Sequence, residues 1–211
     1  LENVKNIYTH DKKKTFRIIQ DSLEQTGYCV FSKIMNTYEY TSIPQNRERT
    51  FIICFLEGKY AFMDPSKPMS TYFQKIFPPK KRTSKLKDIS YFLESNEVEE
   101  KYYYRQDKYN YKELVKSITK KDTFYQWRRV YVRENKSGVC PTLTANMGTG
   151  GHNVPLIKDD YGIRKLTPRE CFNLQGFPND FKFPDDVPNS QLYKQAGNSV
   201  TVEMIKKVAE V

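Results

Sequence analysis

The segment TFIICFL at residues 50–56 constrains the fold more than any other stretch of the chain. It is a nearly continuous run of β-branched and aromatic residues, the pattern of a strand covered on both faces. Such a strand needs neighbours. One is supplied by YCVFSKIMN at 28–36, which reads as a second strand. A helix over 13–26 precedes it: Phe16, Ile19 and Leu23 share a face, Thr9 or Asp11 can cap the start, and Gly27 can end it. Alternating strand and helix place the chain in the α/β class. Residues 1–56 hold too few strands for a parallel sheet covered on both sides, so something else must complete it.

The C-terminal stretch is equally explicit. In KLTPRECFNLQGFP (165–178), Thr167 can cap a helix, Pro168 suits its first position, Glu170 completes a capping box, and Gly176 with Pro178 stops it. SQLYKQAGNSV (190–200) reads as a short helix broken at Gly197. A final helix places Val200, Met204, Ile205 and Val208 on one docking face, with Lys206 and Lys207 outside.

Between these ends the character changes. FPPKKRTSKLKD (77–88) carries five basic residues to one acid, and KYYYRQDKYNYKE (101–113) interleaves Tyr with Lys and Arg. The basic run suits phosphate or solvent, and the Tyr cluster suits core and surface filling. ELVKSI (113–118) reads as a short helix within otherwise irregular chain. From 128 to 161 two strand-like pieces flank segments rich in Gly and Asn. Four of the nine glycines fall at 138, 148, 150 and 151, which predicts a pair of recognition loops.

Charge narrows the partner. Thirty-five Lys and Arg against 25 Asp and Glu give a net charge of +10, which favours a polyanion, nucleic acid first. Aromatic residues make up 14 % of the chain, so it folds around real cores. The four cysteines, Cys29, Cys54, Cys140 and Cys171, form no CxxC or CxxH pair, which argues against zinc and for reduced thiols in an intracellular protein. No apolar run reaches membrane-spanning length, and the first residues lack a signal core.

Four motifs in order give the chain a family. ENV at 2–4, QNRER at 45–49, RKLTPRECFNLQGFP at 164–178 and QAGNSV at 195–200 together resemble the C-terminal half of the cytosine-C5 DNA methyltransferases. The resemblance covers 1–56 and 128–211; the stretch between corresponds to that family's variable target-recognition domain. It implies the C-terminal part of a Rossmann-like sheet that binds S-adenosylmethionine, with a smaller, mostly β or irregular recognition domain. Residues 1–56 would belong to the catalytic domain and 57–163 to the recognition domain. Residues 164–211 would form a helical segment of the latter, ending in a helix that returns to the catalytic domain.

In this family a cysteine thiolate adds to C6 of a flipped cytosine, and C5 then takes the methyl group. By resemblance Glu2 partners cytosine N3, Asn3 holds the loop, and Arg47 and Arg49 lie near the base and its phosphates, with Arg49 on O2. An Arg suits that task because its charge is permanent and its fork rigid. Asn198, Ser199 and Val200 would contact the cofactor, most of whose site lies outside this chain; the alternative is that Asn198 and Ser199 only cap the last helix. Two loops, 128–138 and 144–154, would enter the major groove of duplex DNA. There Arg133, Asn135, Lys136, Asn146 and His152 can read bases or touch phosphate, with Thr142 and Leu143 as support.

The family's Pro-Cys nucleophile and Gly-rich cofactor turn do not occur; Cys140 precedes Pro141, in reverse order. The expectation is therefore a split enzyme or a piece of a longer one, completed by an N-terminal half and inactive alone. The implied setting is cytoplasmic, in a bacterial or phage restriction-modification system, without metal or membrane. A non-catalytic DNA-binding module and a transfer-RNA cytosine methyltransferase stay open as alternatives. The recognition sequence is not legible.

Overall fold

The computed structural model describes residues 1–59, 67, 70–80, 85–108, 110–135, 138–149 and 153–210. Lys136 and His152, two of the candidate base readers, lie outside the described residues, as do 81–84 of the basic run and Gly150 and Gly151.

The first sheet is built from β1 (Glu2–Val4), β2 (Tyr28–Asn36) and β3 (Glu48–Leu56), in the order β1-β3-β2 and antiparallel throughout. The apolar run thus occupies the central strand, as its composition requires. Its first half is covered on both faces: consecutive Phe51 and Ile52 point to opposite sides and are each 3 % exposed. Coverage thins toward Leu56, which lies at the rim.

Helix α1 (Lys14–Gln25) runs between β1 and β2, and Phe16, Ile19 and Leu23 form its half-buried face. Its start corrects the capping expectation. Asp11, Lys12 and Lys13 all have positive φ, so the chain reverses before the helix, and neither Thr9 nor Asp11 caps it; the Thr9 hydroxyl donates to the Asn6 carbonyl instead. Gly27, at φ 84°, ends the helix as anticipated.

The one-turn helix α2 (Thr37–Tyr40) follows β2, and α3 (Ser70–Ile76) packs on the same sheet. Phe31, Met35, Tyr40, Phe51, Tyr72 and Ile76 share a core there, which Met204 of the last helix enters.

A second antiparallel sheet, in the order β5-β4-β6-β7, comprises β4 (Phe124–Arg128), β5 (Tyr131–Asn135), β6 (Leu156–Lys158) and β7 (Ile163–Lys165). Beneath it lies α4 (Tyr111–Ser117), the ELVKSI helix, whose Leu114 packs with Tyr125, Leu156 and Ile163. The stretch expected as a 128–138 loop is mostly strand: β4 and β5 form a hairpin whose turn holds Arg129 at φ 59°.

Three helices close the chain: α5 (Pro168–Asn173), α6 (Asn189–Asn198) and α7 (Val202–Ala209). The capping box at Thr167 and Glu170, Pro168 at the first position and Gly176 at φ 82° all occur as expected. Gly197 does not break α6. It is there because a Cβ would lie 2.1 Å from the Thr144 carbonyl carbon, so the helix can meet that backbone only through glycine. In α7, Met204 is buried and Val200 and Val208 pack beside it, but Ile205 is 41 % exposed and leaves the docking face.

Candidate functional site

The β1–β3 ladder pairs Glu2 with Phe51 and Val4 with Arg49, so Glu2 and Arg49 are diagonal neighbours on one face. Arg49 Nε approaches Glu2 Oε1 to 3.1 Å, with both side chains mostly buried (13 % and 17 % exposed). The contact is an ion pair without hydrogen-bond alignment. Glu2 Oε1, itself shielded from solvent, has no hydrogen-bond partner among the described residues. Burial pushes the Arg49 pKa down, and Glu2 opposes that shift.

Arg47 occupies a different position from Arg49. It is 2 % exposed, and its terminal nitrogens are held by backbone carbonyls: Nη1 donates to Leu143 (2.8 Å), Nη2 to Gly197 (3.2 Å) and Ser199 (2.6 Å), while Nε has no partner among the described residues. Burial and the nearby Arg49 push its pKa down to about 10, so it stays charged at neutral pH. One side chain thereby ties β3 to the Thr-Leu segment and to the GNSV segment.

The turn before Arg47 is held as firmly. Asn36 accepts from the Arg47 N–H (2.9 Å) and donates to Asn46 Oδ1 (2.6 Å), and Gln45 Nε2 reaches the Leu174 carbonyl (2.7 Å). Gln45 also bridges Cys140 in parallel register, and the Thr142 hydroxyl donates to the Asn46 carbonyl (2.6 Å). The QNRER turn is therefore the junction of the molecule. Asn36 and Gln45 carry no individual sign in the sequence, whereas Gly197, expected to break a helix, instead lets α6 meet the Thr144 backbone.

In the GNSV segment, Asn198 is exposed, the Ser199 hydroxyl donates back to Ala196 (2.8 Å), and Val200 packs into the first core. Neither Asn198 nor Ser199 caps α7, whose N-cap is Thr201 without a side-chain bond.

Three of the candidate base readers, Arg133, Asn135 and Asn146, are described, as is the supporting Thr142. Arg133, Asn135 and Thr142 line one open groove with Pro141, Thr144 and Asn153, and Gln126 and Arg128, not singled out in the sequence, line it too. Asn135 Nδ2 donates to the Val139 carbonyl. Asn146 is exposed on a 3-10 turn (Ala145–Gly148) that packs on α6 and does not line this groove. That turn forms the start of the segment expected as the 144–154 recognition loop.

All four thiols have pKa values raised by burial, most strongly the fully buried Cys140 and Cys171. None is poised as a thiolate. Among the described residues no cluster of His, Cys, Asp and Glu could hold a metal ion, and no helix is long and apolar enough to cross a membrane.

Comparison with known proteins gives this arrangement a context. A family model described as C-5 cytosine-specific DNA methylase matches residues 1–211. Type II methyltransferase M.Bsp6I of Bacillus sp. (strain RFL6) is 49 % identical over 212 residues, spanning 100 % of this chain and 63 % of that protein. M.HaeII of Haemophilus aegyptius is 35 % identical over 209 residues, 99 % of this chain and 58 % of its own length. The chain thus spans under two thirds of either relative. Among solved structures, the Dnmt2 methyltransferase of S. pombe superposes with a TM-score of 0.68 at 18 % identity, covering 99 % of this chain and 64 % of that one, a likeness of fold.

Proposed function

The chain belongs to the C-5 cytosine-specific DNA methylase family, and from that premise we propose that it is the C-terminal part of an enzyme that methylates C5 of a flipped-out cytosine in a specific duplex DNA sequence. In this reading it serves a type II modification system. The observation that carries the proposal is Glu2: a shielded carboxyl oxygen beside a guanidinium, with its hydrogen-bonding capacity unspent.

Cytosine is a poor electrophile at C6. The Glu2 carboxyl group shares a proton with N3, and Arg49 faces O2; together they draw electron density from the ring as a nucleophile adds. Arg47 works at one remove, holding the Leu143 and Ser199 segments against the strand that carries Arg49. The attacking thiolate comes from polypeptide outside these residues, since none of the four cysteines here follows a proline as the family nucleophile does. S-adenosylmethionine supplies the methyl group when bound. Of the GNSV residues, Asn198 presents an exposed amide for it, Val200 gives an apolar wall, and Ser199 is held in place by Arg47.

Residues 1–56 act as the catalytic portion, 57–163 as the recognition domain, and 164–211 as its helical segment with the return helix. Arg133, Asn135, Thr142 and Asn146 serve target recognition. The test is tritiated methyl transfer by the chain joined to a segment carrying the Pro-Cys and Gly-rich elements. Label is expected at C5 of cytosine in duplex DNA. Label in transfer RNA but not DNA, or tight DNA binding without transfer, would overturn the reading.

A further inference from the structure

Lys33 lies in β2 and faces the first core, on the side of the sheet that carries Phe31 and Met35. In register it stands opposite Phe51, and Phe51 opposite Glu2, so the lysine shares a face with Glu2 two strands away. Three aromatic side chains surround its half-buried ammonium: the ring centroids of Tyr40, Phe73 and Phe77 lie 5.6, 5.9 and 5.5 Å from Nζ. Tyr40 comes from α2, Phe73 from α3, and Phe77 follows α3 directly. Tyr40 and Phe77 are buried, whereas Phe73 is 37 % exposed and forms the mouth of the enclosure.

These surroundings suit a cation better than they suit an ammonium. An ammonium carries three N–H donors, and Lys33 has no hydrogen bond or ion pair among the described residues; the nearby Lys80 takes Glu39 at 2.8 Å. Burial, and then the charge of Lys80, lower the Lys33 pKa. The rings also stand back from the nitrogen. Lys87 Nζ closes to 3.6 Å from the ring centroid of Tyr91, whereas the rings around Lys33 stay at 5.5–5.9 Å. A methyl carbon lies about 1.45 Å from its nitrogen, so three methyl groups on Nζ, one toward each ring, would stand about 4 Å from the centroids, close to carbon–carbon contact. A trimethylated nitrogen keeps its charge, has no donor to satisfy, and is the kind of cation that aromatic cages bind.

We propose that Lys33 is a methylation site and that Tyr40, Phe73 and Phe77 form a cage filled by its trimethylammonium group, pinning α2 and α3 to the sheet of Glu2 and Arg49. The methyl donor is S-adenosylmethionine, delivered by a lysine methyltransferase, and the amine leaves the cage past Phe73 to react. Before each of three transfers Nζ gives one proton to solvent. Its lone pair then forms a C–N bond while the sulfonium S–CH3 bond breaks and leaves its electron pair on sulfur. Burial of the ammonium favours those proton losses. The cytosine reaction does not depend on this modification.

Peptide mass spectrometry of the protein isolated from the cells that encode it is the first test. Lys33 is expected to carry three methyl groups, told apart from acetylation by accurate mass; an unmodified, monomethylated or dimethylated Lys33 would overturn the inference. The second test is physical. Cys29 and Cys54 bracket Lys33, so synthetic segments 1–28 and 29–53 can be ligated to a recombinant 54–211 segment, with either lysine or trimethyllysine at position 33. The trimethylated chain should melt about 2–4 °C higher than the lysine chain. Phe73→Leu, at the exposed side of the cage, should shrink that gain. An equal or lower melt on trimethylation, or a gain that Phe73→Leu leaves intact, would also overturn the cage, and if the ligated lysine chain does not refold, mass spectrometry decides. Each of these outcomes leaves DNA methylation standing.

Discussion

Two Arg–Glu pairs sit in this chain, one fully buried and one partly exposed, and they differ in how completely they are satisfied. Arg164 and Glu170 are 1 % and 0 % exposed, and Glu170 receives Arg164 twice, at 2.7 and 2.8 Å. The Thr167 and Glu94 backbone N–H groups donate to the same carboxylate, at 2.8 and 3.0 Å, and Arg164 Nε reaches Asp159 at 2.5 Å. Burial works to lower the Arg164 pKa, but these partners more than reverse it. Glu2 Oε1 and Arg49 Nε approach to 3.1 Å, and that same oxygen has no hydrogen-bond partner among the described residues. A saturated pair has nothing to offer a ligand. The unsaturated one carries a desolvation cost that only a further partner relieves.

The contrast breaks first at Glu2. Glu2→Gln keeps the shape and removes the acid, so turnover of the completed enzyme should fall about 100- to 10,000-fold, while unfolding free energy shifts by less than about 1 kcal/mol. A methyl-transfer assay beside a urea titration reads both. Full turnover, or a large loss of stability, would place Glu2 with the structural pairs.

Arg164→Met tests the opposite pole. It strands the Glu170 carboxylate in the core, at a cost of about 3–5 kcal/mol. Urea unfolding should show the loss, and adding Glu170→Gln should recover part of it. A shift below about 1 kcal/mol for the single variant would mean that the saturated pair is not a fastener.

The sequence disclosed these two pairs unequally, for a physical reason. Glu170 was legible because a capping box is local: Thr167 and Glu170 sit three apart and satisfy one another's backbone. Its ion pair with Arg164 was not, since it depends on how β7 enters α5. TFIICFL and YCVFSKIMN announced their strands through residue type, whereas their antiparallel pairing follows from partners distant in sequence. Glu2 could be singled out only by resemblance to a family motif. Gln126 and Arg128 were invisible because a groove face exists only once β4 has paired with β5. Asp11, Lys12 and Lys13 were misread as ordinary helix lead-in, because left-handed backbone in non-glycine residues has no strong sequence sign.

The junction between the two regions gives a smaller effect. Gly197→Ala would press a methyl against the Thr144–Ala145 peptide, 2.1–2.3 Å away. Backbone cannot yield as a side-chain tip does, so a loss of about 1–3 kcal/mol is expected. Thermal unfolding checks it, and an unchanged melt would show that α6 can draw away from the 144–145 backbone without loosening Arg47.

The smallest effect separates the two cores by their thiols. Cys140 and Cys171 are fully buried in the core that holds Glu170, while Cys29 and Cys54 on the first sheet are half-buried. For the buried pair, desolvation raises the folded pKa well above 9.0. Their unfolded thiols lose protons near that value while the folded ones keep theirs, so above it the unfolded state binds fewer protons. Stability is therefore complete below about pH 9 and declines as pH rises through it. Urea unfolding at pH 8 and 9.5 should show that decline, and Cys140→Ala with Cys171→Ala should remove most of it. Removing Cys29 and Cys54 should change the slope less, because their smaller shifts leave less difference between folded and unfolded thiols. An equal contribution from all four would mean that the two cores exclude water alike, and the distinction between a sealed fastening core and an open working sheet would lose its support.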